Sequence, residues 1–233
     1  MKITRRHAMT SMAAAGTGLV AAAAGASAQD MAAKPAGTAF KPAQYTAQTF
    51  KLDDLVGINK DLTEQHYKLY TGYVTNTNKA NAELSQMMAD AKADSYDFSE
   101  VRRRLGFEYN GMRLHEYYFG GMKPGGTPVD AKLKSAVEAV WGTWDAWVAD
   151  FVRTGMMRGI GWSILYQDPM NGGLSNHWIG DHEYFHPAGF NPVLVMDVWE
   201  HAYVLQFGAS GRKGYIDAFM KNVDWATVGK RLR

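Results

Sequence analysis

Apolar and polar positions follow two rhythms along this chain, first that of helices and then that of helices mixed with strands. From about Asp61 to Met88, the residues Tyr67, Tyr70, Val74 and Leu84 fall near one face of a predicted helix. On it His66, Tyr70 and Tyr73 are spaced i, i+4 and i+7, so one face carries an imidazole and two phenols. The polar stretch Ala91 to Asp97 breaks the pattern, and a second helix is predicted over roughly Phe98 to Phe119. Gly120-Gly121-Met122-Lys123-Pro124-Gly125-Gly126 marks the boundary between two domains. Beyond it Leu133, Val137, Val140, Trp141, Trp144, Val148 and Phe151 make one helical stripe. Gln167 to Gly173 is turn-like, rich in Asp, Pro, Asn and Gly, and Leu174 to His182 reads as a strand and its end. The apolar run Pro192-Val193-Leu194-Val195-Met196 reads as a further, buried strand.

That last strand ends in Asp197, and His201 follows four residues later. A carboxylate and a neutral imidazole aimed at one point suit manganese, iron or zinc. An isolated Asp-x-x-x-His is more often a solvated helix start. With no Cys in 233 residues, disulfides and thiolate sites are excluded.

The full segment Asp197-Val198-Trp199-Glu200-His201-Ala202-Tyr203 closely resembles the C-terminal metal motif of iron/manganese superoxide dismutases. Leu69-Tyr70-Thr71-Gly72-Tyr73-Val74-Thr75-Asn76 resembles the family's first-helix motif, Asn110 to Phe119 its second-helix motif, and Gly159-Ile160-Gly161-Trp162 its first strand. Gly211 to Tyr215 and Asn222 to Trp225 are similar to its terminal helices. The likeness runs from about Phe50 to the C-terminus. It implies an α+β fold: an N-terminal antiparallel helical hairpin domain, residues 46–122, followed by a C-terminal α/β domain with a small antiparallel sheet, residues 126–233.

The resemblance also implies one iron or manganese ion per chain, held by His66, His115, Asp197 and His201, and disproportionation of superoxide. Tyr73 takes the active-site tyrosine place. His182 falls where the family has Gln or Ala, a variation seen in archaeal members, and is the candidate partner of the coordinated solvent; His177 and His186 are alternatives. Trp162 is expected to wall the pocket, with Tyr70, Gly111 and Trp199 close by. Gly111 stands where iron-type members often carry Gln and manganese-type members Gly. Glu200 and Tyr203 are expected at a two-fold interface of a homodimer, with a tetramer left open. The step from His66 to Tyr73 is one residue shorter than the family's, so an ungapped count puts Gln65 at the ligand place. His66 is the choice because imidazole binds these metals far better than an amide, at the cost of a one-residue adjustment in the helix. Three rival classes remain: a non-haem iron oxygenase, needing two His and one carboxylate, a non-catalytic periplasmic metal-binding protein retaining the fold, and a purely structural periplasmic protein, which would hold no stoichiometric metal.

The chain's beginning bears on location. Residues 1–28 combine Lys2, Arg5 and Arg6 with an Ala- and Gly-rich stretch and Ala26-Ser27-Ala28. This reads as a twin-arginine-like export signal, with residues 29–45 as a flexible tether and the periplasm as destination. Without those three basic residues the remainder carries 22 basic against 23 acidic groups, net −1. That balance makes no case for nucleic acid or a membrane surface as partner.

Overall fold

Seven helices, one 3₁₀ turn and three strands follow one another in a computed structural model that describes residues 39–233. The expected export signal and residues 29–38 of the expected tether lie outside the described residues.

The hairpin comes first. α1 spans Lys60–Ala89 and α2 spans Tyr96–Phe119. Each begins where a short polar side chain takes over an orphan backbone donor: Asn59 accepts from the Leu62 amide and Ser95 from the Phe98 amide. The turn between them passes through Ala91 at φ +55°. α1 buries Leu62, His66, Tyr70, Val74, Thr77 and Leu84, a three-to-four-residue rhythm that lays one stripe against α2. Gly111 is what lets the helices close. A Cβ there would sit 2.6 Å from the Tyr73 ring. Outside the hairpin, Ser85, Asn81 and Asn78 hold the backbone of Phe40, Ala43 and Tyr45, so residues 40–45, read as the end of the tether, run along α1.

One expected helix is two. α3 covers Ala131–Trp141 and α4 Trp144–Gly155. Gly142 adopts φ +80°, which stops the first helix, and the Thr143 side chain caps the second by accepting from the Ala146 amide. The stripe therefore splits: Leu133 and Val137 are buried from α3 and Phe151 from α4, while Val140 is exposed and the unforeseen Trp147 is buried.

The sheet has the order β2-β1-β3, all antiparallel, from β1 Gly161–Gln167, β2 Leu174–Gly180 and β3 Asn191–Asp197. Central β1 is buried along its whole length. Its register sets Trp162 opposite Asp197 and Gly161 opposite Gly180. Directly opposed residues share a face, so Trp162 stands beside Asp197. α2 lies against β3. After β3 come the 3₁₀ turn Glu200–Ala202, α5 Val204–Phe207, α6 Arg212–Lys221 and α7 Trp225–Gly229. No helix among the described residues is long and apolar enough to cross a membrane.

Gly161 opens β1 at φ +140°, and a Cβ there would lie 1.9 Å from the Ile179 carbonyl oxygen. Gly161→Ala must both strain the backbone and push β2 away. We expect a loss of about 3 kcal/mol or more in urea unfolding; a change below about 0.5 kcal/mol would mean that the strand start relaxes freely.

Candidate metal centre

Four side chains from four elements converge between the hairpin and the sheet. His66 comes from α1, His115 from α2, Asp197 from the end of β3 and His201 from the 3₁₀ turn. Their ligand atoms all lie within 4.8 Å of one another. The Nε2 atoms of His66, His201 and His115 stand 3.1, 3.2 and 3.6 Å from the same Asp197 Oδ2. Asp197, His115 and His66 are buried, and His201 is partly open.

Two of the donors, His115 and Asp197, are held from behind. His115 Nδ1 lies 2.6 Å from the Gly111 carbonyl, one turn earlier on the same helix. A carbonyl only accepts, so Nδ1 carries the proton and Nε2 of the neutral ring is a bare lone pair. That Nε2 is buried with no hydrogen-bond partner. An unpaired buried polar atom is costly, and a lone pair aimed with two further imidazoles at one carboxylate oxygen is what a cation satisfies. Three imidazoles and one carboxylate suit iron, manganese or zinc, so the residues present fit such an ion.

Asp197 is braced too. Its Oδ1 accepts from the Trp199 amide at 2.8 Å. Its backbone carbonyl lies 2.8 Å from the Tyr215 hydroxyl, which must donate there and so accepts from the Tyr118 hydroxyl at 3.0 Å. Burial pushes the Asp197 carboxyl up, but His201 and the hydrogen bonds from His201 and His66 outweigh it and hold the group well below the usual carboxylate range. Burial lowers His66 and His115, which keeps both rings neutral as ligands must be. The centre thus sets one anion beside the neutral rings of His66 and His115.

His182 sits beside the four, fully buried. The Trp162 indole N–H donates to its Nδ1 at 3.0 Å, and its Nε2 lies 2.8 Å from the Tyr73 hydroxyl oxygen. Indole is a donor only, so Nδ1 is the acceptor and the ring proton is on Nε2. His182 therefore donates to Tyr73, leaving the Tyr73 O–H free to point elsewhere. Burial lowers the imidazole to about 4, against the pull of the Asp197 charge. Burial and then the Asp197 and Glu108 charges push the Tyr73 phenol well above its ordinary value.

Other expected neighbours fall in different places. Trp162 is buried with its ring 5.0 Å from that of His115. The Trp199 ring stacks on His201 at 5.6 Å and lies 4.9 Å from His182. The Tyr70 hydroxyl is spent on the Gln48 amide and Glu116, away from the cluster. Glu200 is exposed beside His201, and Tyr203 is buried against Tyr215. His177 bonds Ser175 on β2. Gln65 is exposed and bonded to Asp61. No adjustment in α1 is needed, because it is a continuous α-helix and the seven-residue step from His66 to Tyr73 keeps both on the inner face. The Tyr118–Tyr215 pair, Asn110 and Phe107 escaped the sequence. For Tyr118 the available signal was its i+3 position after His115; Tyr215 carries none, since only the fold brings it to Asp197.

A helical hairpin laid on a small sheet, with three imidazoles and a carboxylate aimed at one point between them, defines a protein class with a site for a single metal ion. The signature of iron/manganese superoxide dismutases, C-terminal domain, matches residues 129–231. The superoxide dismutase [Fe] of Cupriavidus metallidurans is 35% identical over 76% of this chain and 90% of its own. That of Saccharolobus solfataricus is 31% identical over 83% and 95%, and the superoxide dismutase [Mn/Fe] of Aeropyrum pernix 32% over 72% and 78%. The chain belongs to the iron/manganese superoxide dismutase family.

A free His titrates near pH 6.5, so between there and about 4 the unfolded chain binds a proton that folded His182 refuses. The stability tied to its neutral form is complete above pH 6.5 and lost as pH falls toward 4. Unfolding free energies from urea titrations at pH 7.0 and 4.5 should differ more for the natural protein than for His182→Gln, by up to about 3 kcal/mol. Equal differences would mean that the imidazole is not held neutral.

Proposed function

We propose that this chain is a superoxide dismutase, converting superoxide to dioxygen and hydrogen peroxide, with one iron or manganese ion held by His66, His115, Asp197 and His201. The observation that carries it is the convergence of three imidazole Nε2 atoms on Asp197 Oδ2, with the His115 lone pair buried and unpartnered. When bound, such an ion supplies one-electron exchange with two superoxide ions in turn. The rest falls to the chain. Asp197 contributes the single negative charge among the donors and so favours the more highly charged ion without excluding the other. The Gly111 carbonyl fixes the His115 tautomer that leaves Nε2 free.

Peroxide formation needs two protons, and Tyr73 and His182 stand where protons are held. His182 Nε2–H on the Tyr73 oxygen steadies the phenol as its proton leaves, and Trp162 keeps the imidazole in the tautomer that can do so. The rings of Phe107, Trp199 and Trp162 pack 4.6, 4.9 and 5.7 Å from that of His182 and keep it dry. His182 takes the hydrogen-bonding place that Gln fills in many relatives. Its presence, and His66 in the cluster, weigh against a non-catalytic metal carrier; three imidazoles weigh against the two-histidine oxygenase arrangement.

The twin-arginine-like start supports export to the periplasm in folded form, with the ion already in place. The exposed Glu200 beside partly open His201 supports a homodimer in which Glu200 reaches His201 of the partner subunit across a two-fold axis.

Purified protein reconstituted separately with iron and manganese should hold about one ion per chain and disproportionate superoxide in at least one form. Asp197→Ala and His115→Ala should each lower metal affinity at least about tenfold. Absence of stoichiometric metal would sink the site, and full metal without activity in either form would sink the enzyme.

A further inference from the structure

His182 is held at both ends, and only its ring is accounted for by the chemistry above. Its backbone carbonyl accepts two side-chain hydrogen bonds. Asn110 Nδ2 donates from α2 at 2.8 Å. His186 Nε2, four residues downstream, lies 3.0 Å away. Since a carbonyl only accepts, that nitrogen carries a proton, and the other ring nitrogen, Nδ1, lies 2.8 Å from the Tyr166 hydroxyl. Tyr166 is buried on β1, the strand that also supplies Trp162. Both lone pairs of the carbonyl are used, one by a donor on α2 and the other by a donor from the loop itself, braced against β1 through Tyr166.

The loop itself needs such a clamp. It leaves β2 through Asp181 at φ +58° and passes Phe185 at φ +74°, both left-handed positions that non-glycine residues rarely hold unless their surroundings compel them. Its backbone is closed by Gly180 and Tyr184 bonding each other and by a long bond from the Asp181 amide to the Ile160 carbonyl, none of which touches the His182 carbonyl. Without an anchor on its carbonyl, His182 would hang between two strained residues. Asn110 precedes Gly111, whose carbonyl sets the His115 tautomer and whose missing side chain admits Tyr73. One turn of α2 therefore positions His115, Tyr73 and His182 together, and His186 fixes the same residue from the opposite side.

We propose that His186 is a positioning residue: braced by Tyr166 and acting with Asn110 on the His182 carbonyl, it keeps the His182 Nε2–H on the Tyr73 oxygen. This rests on the dismutase reading for its consequence in turnover, but not for its consequence in geometry. The replacement His186→Ala removes both bonds. His186→Gln keeps a donor for the carbonyl and an acceptor for Tyr166. Trp162→Phe, which removes the donor to Nδ1, supplies the reference for a released ring.

The direct readout is ¹⁵N NMR of the His182 imidazole in zinc-substituted, diamagnetic protein. The natural protein and His186→Gln should show a single Nε2–H tautomer; His186→Ala should show the averaged signals of Trp162→Phe. In the protein loaded with its active metal, His186→Ala should lower kcat about tenfold while kcat/KM changes less, and His186→Gln should recover most of the loss. Tyr166→Phe, milder to the fold, should fall between. A His182 ring unchanged in both His186→Ala and Tyr166→Phe would overturn the proposal. If the zinc-substituted protein shows the shift but no metal form is active, the positioning role stands and the dismutase reading falls.

Discussion

Everything in this structure leans on one buried carboxylate. Asp197 is out of water, and a lone charge there would be untenable. It is tolerable because the His66 and His201 imidazoles and the Trp199 amide bond its oxygens. The Tyr215 hydroxyl, backed by Tyr118, holds the backbone carbonyl of the same residue, and His115 stands beside the carboxylate. These groups come from α1, α2, the turn after β3, and α6. Holding this one residue thus keeps the hairpin, the sheet and the terminal helices in register. The same arrangement brings three imidazole Nε2 atoms to a single point. A polar core of this kind contributes specificity of arrangement more than raw stability, which comes from the aromatic and aliphatic residues around it.

Spacing and space decide how closely the ligands can gather. A seven-residue step is almost two helical turns, so an unbroken α1 delivers His66 and Tyr73 to one face without distortion. That face reaches α2 only because position 111 has no side chain. Gly111 acts twice, once as room for the Tyr73 ring and once as the carbonyl that orients His115.

Around the four donors lies a layer in which hydrogen-bond chemistry leaves little choice. Indole can only donate and a carbonyl can only accept. From these two facts follow the tautomers of His182 and His115 and the proton on His186 Nε2, and with them the direction in which each proton is held. The proton-bearing pair, Tyr73 and His182, is set by Trp162 on one strand and Asn110 on a helix. Metal site and proton site share elements, so neither can shift alone.

Much of this was legible in the chain. The pattern of apolar and polar residues marked both hairpin helices to within about two residues of their observed ends and located the second and third strands, and the resemblance at Gly159 to Trp162 located the first. The Asp197 to Tyr203 segment pointed to the donor set because its identity is local: strand end, carboxylate and imidazole within five positions. The break at Gly142 and Thr143 was missed although both signals were present, because the apolar stripe runs across it in phase. What only tertiary structure decided were matters of long-range pairing. No periodicity could choose His66 over Gln65; burial against Asp197, 131 residues away, did. The Tyr215 hydroxyl, the His186 clamp and the orphaned His115 nitrogen exist only once distant elements meet. A sequence states which groups can donate or accept. Packing alone decides which of them face each other without water, and that exclusion is what turns a set of polar residues into a site.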